Sequence, residues 1–193
     1  MKGEWCYWMN AFSAAECELI IKTASKLPTN QATIGIDSKP ADEDFRRSII
    51  RWIDHTVNPE YTWIHDKLWK LQISINRDWF GFNVTNLPPI QFTEYDGSYK
   101  GEYKSHQDVF WLPHGNTHRK VSLVVQLTDP NEYEGGNLRF EKINNYPGDG
   151  DNESMRKQGT VIAFPSFVYH RLEPVTKGKR YSLVGWFEGP KFV

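Results

Sequence analysis

Apolar residues recur along this chain with two different periods. In the N-terminal part the spacing is helical: Cys17, Ile20, Ile21, Ala24 and Leu27 lie so as to share one face of an α-helix. Ser13 and Glu16 ahead of them form a capping box, the hydroxyl covering an orphan amide and the glutamate reaching back. Pro28 ends this helix, since it has no amide to donate. A second helix is predicted from Glu60, after the start signal Asn58-Pro59, to about Phe80, with Ile64, Leu68, Leu71 and Ile75 as its stripe. The intervening stretch from Thr29 to Asp44 reads as a loop around Gly35 and Pro40, with one short strand near 32–36. Residues 32–45 are also a candidate lid over a site.

After Pro88-Pro89 the texture changes to short strands, predicted over 90–95, 103–110, 120–128, 137–140, 159–164, 168–174 and 180–187. Turn signals separate them, among them Asp96-Gly97, Gly135-Gly136, Pro147-Gly148-Asp149-Gly150 and Lys177-Gly178. Many short strands after two helices predict a mainly β fold with α, a sandwich or jelly roll with N-terminal helices packed on its larger sheet. At 193 residues, with no repeat or linker, one domain is expected, helical support over 1–89 and β core over 90–188.

Composition narrows the class of protein. A net charge of −1 argues against a nucleic-acid-coating protein and against a polybasic membrane binder. The aromatic share of 15% argues against disorder, and no apolar run approaches the ~20 residues of a membrane span. Cys6 and Cys17 make neither a disulfide framework nor a zinc knuckle, and the N-terminus has no signal-like apolar core. The expected compartment is a reducing cytoplasm, that of a bacterium or of a host cell if the chain is phage-encoded. A monomer or weak homodimer is expected.

Of the six histidines, His106 alone has a carboxylate two residues on, Asp108. On a strand, i and i+2 face the same side, so the pair is expected to reach one metal together, with His170 as a third ligand from another strand. Two histidines and one carboxylate, leaving positions open, are the ligand set of non-haem iron(II) oxygenases. Ten residues past His170 stands Arg180. If Lys177-Gly178 turns a hairpin, Arg180 lies beside His170 and points into the same cavity, where its fork suits a carboxylate. Ser182, two residues further, faces the same side.

The C-terminal half resembles the iron(II)- and 2-oxoglutarate-dependent dioxygenases, in their prolyl 4-hydroxylase-like branch. The resemblance is carried by Gln91-Phe-Thr-Glu-Tyr95, Tyr103-Lys-Ser-His106-Gln-Asp108, the run from Val121 to Leu138, Gly159-Thr-Val-Ile-Ala-Phe-Pro-Ser166 and the segment from His170 to Trp186. It implies a double-stranded β-helix in which His106, Asp108 and His170 bind Fe(II) and act as the catalytic centre. It also implies that Arg180 holds the distal carboxylate of 2-oxoglutarate, that Tyr95 and Tyr103 line the cofactor pocket, and that Gln126 lies near that carboxylate. O2 is then the oxidant, with ascorbate as a reductant, and the expected reaction is hydroxylation of an unactivated C–H bond, best guessed as a prolyl residue of a peptide or protein. Animal collagen-type enzymes use lysine where this chain has Arg180, and no collagen-binding or membrane segment accompanies it. The first departure resembles oxygen-sensing and bacterial or phage-borne single-domain forms, and the second speaks against collagen as substrate.

Other residues are weighed beside these. His114 and His118 read as solvated loop histidines. Arg46-Arg47-Ser48 with Arg51 reads as a solvated basic face, or, for Arg46, as a contact with substrate. Trp111 is expected at the cavity mouth, stacking on substrate. The alternatives are a non-catalytic jelly-roll module that binds a metal or peptide, an oxygenase for a free amino acid or other small molecule, and a zinc hydrolase, which the arginine fits poorly.

Overall fold

Alternation along the central strands sorts the core into two layers. The computed structural model of the protein describes residues 1–31, 33–34, 39–40, 44–111, 115–143 and 149–193. Among these, the larger sheet runs from edge to edge through Cys6–Trp8, Val161–Pro165, Thr117–Gln126, Val175–Pro190, Ile90–Asp96, Ile49–Ile53 and Asn30–Gln31, with Tyr133–Gly135 joined to Val175–Pro190. The smaller runs through Leu138–Glu141, Tyr169–Leu172, Glu102–His106 and Arg46–Arg47. The strands of both sheets pair antiparallel, which is the predicted jelly roll.

On Val175–Pro190, Leu183 and Phe187 face the helices, whereas Arg180, Ser182, Val184 and Trp186 face the smaller sheet. Thr117–Gln126 does the same, with Val121, Leu123 and Val125 outward and Val124 inward. Ile20, Ala24, Ile64, Leu68 and Ile75 of the two helices cover the outward side, so the helices pack on the larger sheet as expected.

The first helix is Ala14–Ala24 and its capping box is formed: Glu16 N–H donates to Ser13 Oγ at 3.2 Å, and Ser13 N–H to Glu16 Oε2 at 2.7 Å. The second element spans a 3₁₀ turn Pro59–Tyr61, the α-helix Thr62–Ile75 and a π turn Asn76–Phe80, ended by a left-handed Gly81. Its stripe differs in one place, for Gln72 is buried and Leu71 only half-buried.

Several expectations are corrected. The strand from Tyr103 stops at His106 rather than Phe110. No hairpin forms at Lys177-Gly178: the chain runs straight through as Val175–Pro190, and Gly178 is needed there because its φ is 70° and a Cβ would sit 2.1 Å from the Glu132 carbonyl oxygen. The reversal falls instead just after Leu172 and carries the chain from the smaller sheet to the larger. Of the turn read at 147–150, residues 147–148 lie outside the described residues, and 149–150 begin a helix instead, Asp149–Arg156, whose Gly, Asp and Asn are weak helix formers. The strand and lid readings over 32–45, and His114, lie largely or wholly outside the described residues.

Both cysteines are free and buried, and burial pushes the Cys17 thiol up to about 11, so neither is poised for reaction. Among the described residues no helix is long and apolar enough to cross a membrane.

Candidate metal centre

Three ligand-type side chains converge between the sheets. His106 ends its strand directly opposite His170 of the neighbouring strand, with ring centroids 4.2 Å apart. Asp108 reaches them from beyond the strand end, so simple alternation does not place it. The amides of Asp108 and Val109 instead donate to the Ser166 carbonyl at 2.8 and 3.0 Å, which pins the loop under the histidines. His106 Nε2 lies 3.6 Å from Asp108 Oδ1, and His170 Nε2 lies 3.6 Å from Oδ2. The three ligand atoms fall within 4.8 Å of one another.

Each ring is set by its other nitrogen. His106 Nδ1 meets the Lys104 carbonyl at 2.8 Å and His170 Nδ1 the Val168 carbonyl at 3.0 Å. A carbonyl only accepts, so both Nδ1 atoms carry the proton and both Nε2 lone pairs face Asp108. Burial and the adjacent His106 ring depress the His170 imidazole to about 4, against the pull of Asp108, so it is a neutral ligand at ordinary pH. Burial alone would raise the Asp108 carboxyl, but His170, His106 and Arg119 outweigh it and hold the group well below the usual range.

Two serines to which the sequence reading gave no role at the site hold the carboxylate, one directly and one behind it. Ser122 Oγ donates to Asp108 Oδ2 at 2.6 Å and lies 3.0 Å from Ser166 Oγ. Ser122 was findable, being the one polar residue within the apolar run Val121–Val125. Ser122→Ala is expected to weaken divalent-metal binding about 10- to 100-fold, because an outer partner fixes the ligand's geometry. Chelator competition against wild type measures this, and equal affinity would remove Ser122 from the centre.

The triad opens into a cavity whose walls include Arg46, Tyr95, Tyr103, Val124, Leu138, Arg180, Ser182 and Trp186. Arg180 therefore does face the histidines, but from the opposite sheet rather than from a neighbouring strand. It is 2% exposed. Its Nη2 donates to Gln126 Oε1 at 2.8 Å, its Nη1 to Ser182 Oγ at 3.3 Å, and its Nε has no partner. Gln126 thus holds the guanidinium and is not on the cavity wall. A buried cation with only neutral partners among the described residues fits an anionic ligand, as a metal ion fits the triad. Tyr103 stacks on His106 at 3.6 Å, and burial raises its phenol to about 12, keeping it a hydrogen-bond donor. Tyr95 pairs with Arg180 across the larger sheet and lies under its guanidinium at 5.6 Å.

The other candidates fall elsewhere. Trp111 is 55% exposed and packs edge-on to His118 and near Phe192, not on the cavity. The indole on the cavity wall is Trp186, with the Arg119 guanidinium 4.0 Å from its ring. His118 is buried rather than solvated, and its Nδ1 accepts the Phe192 amide at 3.1 Å. The basic cluster is not a solvated face either: Arg51 is buried against Glu94 at 3.2 Å, and Arg46 is buried in the cavity wall.

A jelly roll holding an open site of two histidines and one carboxylate, faced by a buried arginine, has the build of a non-haem iron oxygenase. The chain belongs to the 2OG-Fe(II) oxygenase superfamily, whose sequence profile matches residues 90–188. Its cofactors are those of that superfamily: Fe(II), 2-oxoglutarate and O2. A PKHD-type hydroxylase of Sphingopyxis alaskensis is 32% identical over 103 residues, 52% of this chain, which thereby spans 44% of that protein's length. The fold is shared with a viral collagen prolyl hydroxylase from Paramecium bursaria chlorella virus 1 (TM-score 0.69, 20% identity, 96% of each chain). It is also shared with a prolyl hydroxylase of Trichoplax adhaerens solved with a hypoxia-inducible-factor peptide (TM-score 0.70, 16% identity, 96% of this chain and 83% of that one).

Proposed function

We propose that this chain hydroxylates a prolyl residue of a peptide or protein, with His106, Asp108 and His170 holding Fe(II) and Arg180 holding the distal carboxylate of 2-oxoglutarate. The observation that carries the reading is the pairing of an open triad with a buried arginine across one cavity. Metal and cosubstrate together supply the oxidation: one substrate C–H becomes C–OH while 2-oxoglutarate and O2 give succinate and CO2. The protein contributes position and dryness. The two Nε2 atoms and the Ser122-held carboxylate would hold the metal. Arg180, braced by Gln126 and Ser182, fixes how far the cosubstrate's other end reaches. Val124, Val184, Leu138 and Leu172 keep that space apolar.

Residues 1–89, which add four strands to the two sheets besides the helical support, act with the β core (90–188) as one catalytic domain in this reading. The prolyl assignment draws on the hydroxylase names of relatives and on the peptide bound to the Trichoplax protein. Two buried free thiols suit a reducing cytoplasm. The test is incubation with Fe(II), 2-oxoglutarate, ascorbate and a library of proline-containing peptides, followed by mass spectrometry and succinate measurement. One added oxygen on proline, with matching succinate, is the expected result. Succinate release without any modified prolyl residue would overturn the substrate and keep the enzyme class.

A further inference from the structure

Arg180 is not the only buried guanidinium on this cavity. Arg46, 5% exposed, lines it from the smaller sheet. Its Nε donates to Ser48 Oγ at 2.9 Å, its Nη2 has no hydrogen-bond partner, and no carboxylate pairs with it among the described residues. Its guanidinium lies 4.3 Å from the Tyr103 ring centroid, and Tyr103 in turn stacks on His106 at 3.6 Å. The charge therefore stands one aromatic ring away from a side chain of the triad. From the larger sheet, Trp186 adds a buried indole N–H that is also unpartnered. A charge at this depth is costly unless an anion meets it. In the reading above, 2-oxoglutarate is held by the triad and Arg180, which leaves Arg46 Nη2 and Trp186 Nε1 without an acceptor.

We propose that Arg46 binds a carboxylate of the prime substrate, with Trp186 Nε1 as a neighbouring donor, so that the substrate is an acid. This rests on the proposed function and deepens it. The carboxylate has two sources, an acidic side chain beside the prolyl residue of a peptide or the α-carboxylate of a free amino acid. A guanidinium suits either, since its fork matches both carboxylate oxygens.

The test uses protein loaded with Zn(II) and saturated with 2-oxoglutarate, which binds without turnover, titrated calorimetrically with matched pairs. One pair is a short peptide with Glu-Pro against the same peptide with Gln-Pro; the other is L-proline against L-prolinamide. In at least one pair the acid is expected to bind about 30-fold or more tighter than its amide, and the pair that does so identifies the source. Arg46→Gln removes that preference, Arg46→Lys retains part of it, and neither changes 2-oxoglutarate affinity as Arg180→Ala does. Equal binding of acid and amide in both pairs overturns the proposal, as does a preference that survives Arg46→Gln. Repeating both pairs with alanine in place of proline separates the two readings. An Arg46-dependent charge preference that ignores the ring supports the carboxylate site and discards proline.

Discussion

Arg180→Ala is expected to leave the metal in place and to raise the 2-oxoglutarate requirement about 30- to 4000-fold. The range follows from removing one partner of a buried, charge-assisted contact, a loss of about 2–5 kcal/mol. The residue sits on the sheet opposite His106 and His170, and its hydrogen bonds go to Gln126 and Ser182 rather than to the triad, so metal affinity has no reason to fall. Arg180→Lys keeps the charge and loses the two-point grip and the Gln126 contact, so it falls between wild type and alanine. Titrating 2-oxoglutarate into Fe(II)-loaded protein without oxygen decides the matter. If wild type and Arg180→Ala bind equally, Arg180 is not the carboxylate holder.

Asp108→Ala should release the metal. It removes the one anionic ligand, and two neutral imidazoles alone hold an open-sited divalent ion poorly. The same change breaks the buried 2.6 Å bond from Ser122 Oγ to Asp108 Oδ2 and leaves Ser166 Oγ as the hydroxyl's remaining partner. His118→Ala is the fitting comparison. His118 is buried and accepts the Phe192 amide, so its loss should lower stability while metal affinity stays. Metal titration of the two variants beside wild type reads both effects, and metal loss in His118→Ala but not in Asp108→Ala would refute the ligand set.

The elements legible in the sequence were those with a strong local signal. The capping box at Ser13 and the long apolar stripe of the second helix each appear where the pattern put them. Cys6–Trp8 was missed because three residues carry no period, and Ile49–Ile53 because it is buried on both faces and interrupted by Arg51. At the site, chemistry read through where geometry did not. His106, Asp108, His170 and Arg180 stand around one cavity, yet neither the alternation invoked for Asp108 nor the hairpin invoked for Arg180 puts them there. Both depend on long-range contacts: the Ser166 carbonyl in one case, a crossing between sheets in the other. The solvated readings of His118, Arg46 and Arg51 failed for a related reason, since residue type speaks to average exposure and not to which side of a strand is inward.

The environment of Arg180 ties the endurance of the folded chain to a metabolite. With Gln126 and Ser182 as its hydrogen-bond partners, both neutral, the guanidinium is a cost that the native state carries until an anion arrives. A dicarboxylate that binds only the native state then acts as a pharmacological chaperone would: at a hundredfold excess over its dissociation constant it adds about 2.7 kcal/mol. The melting point should climb with 2-oxoglutarate concentration, and the protein's lifetime would then follow carbon supply.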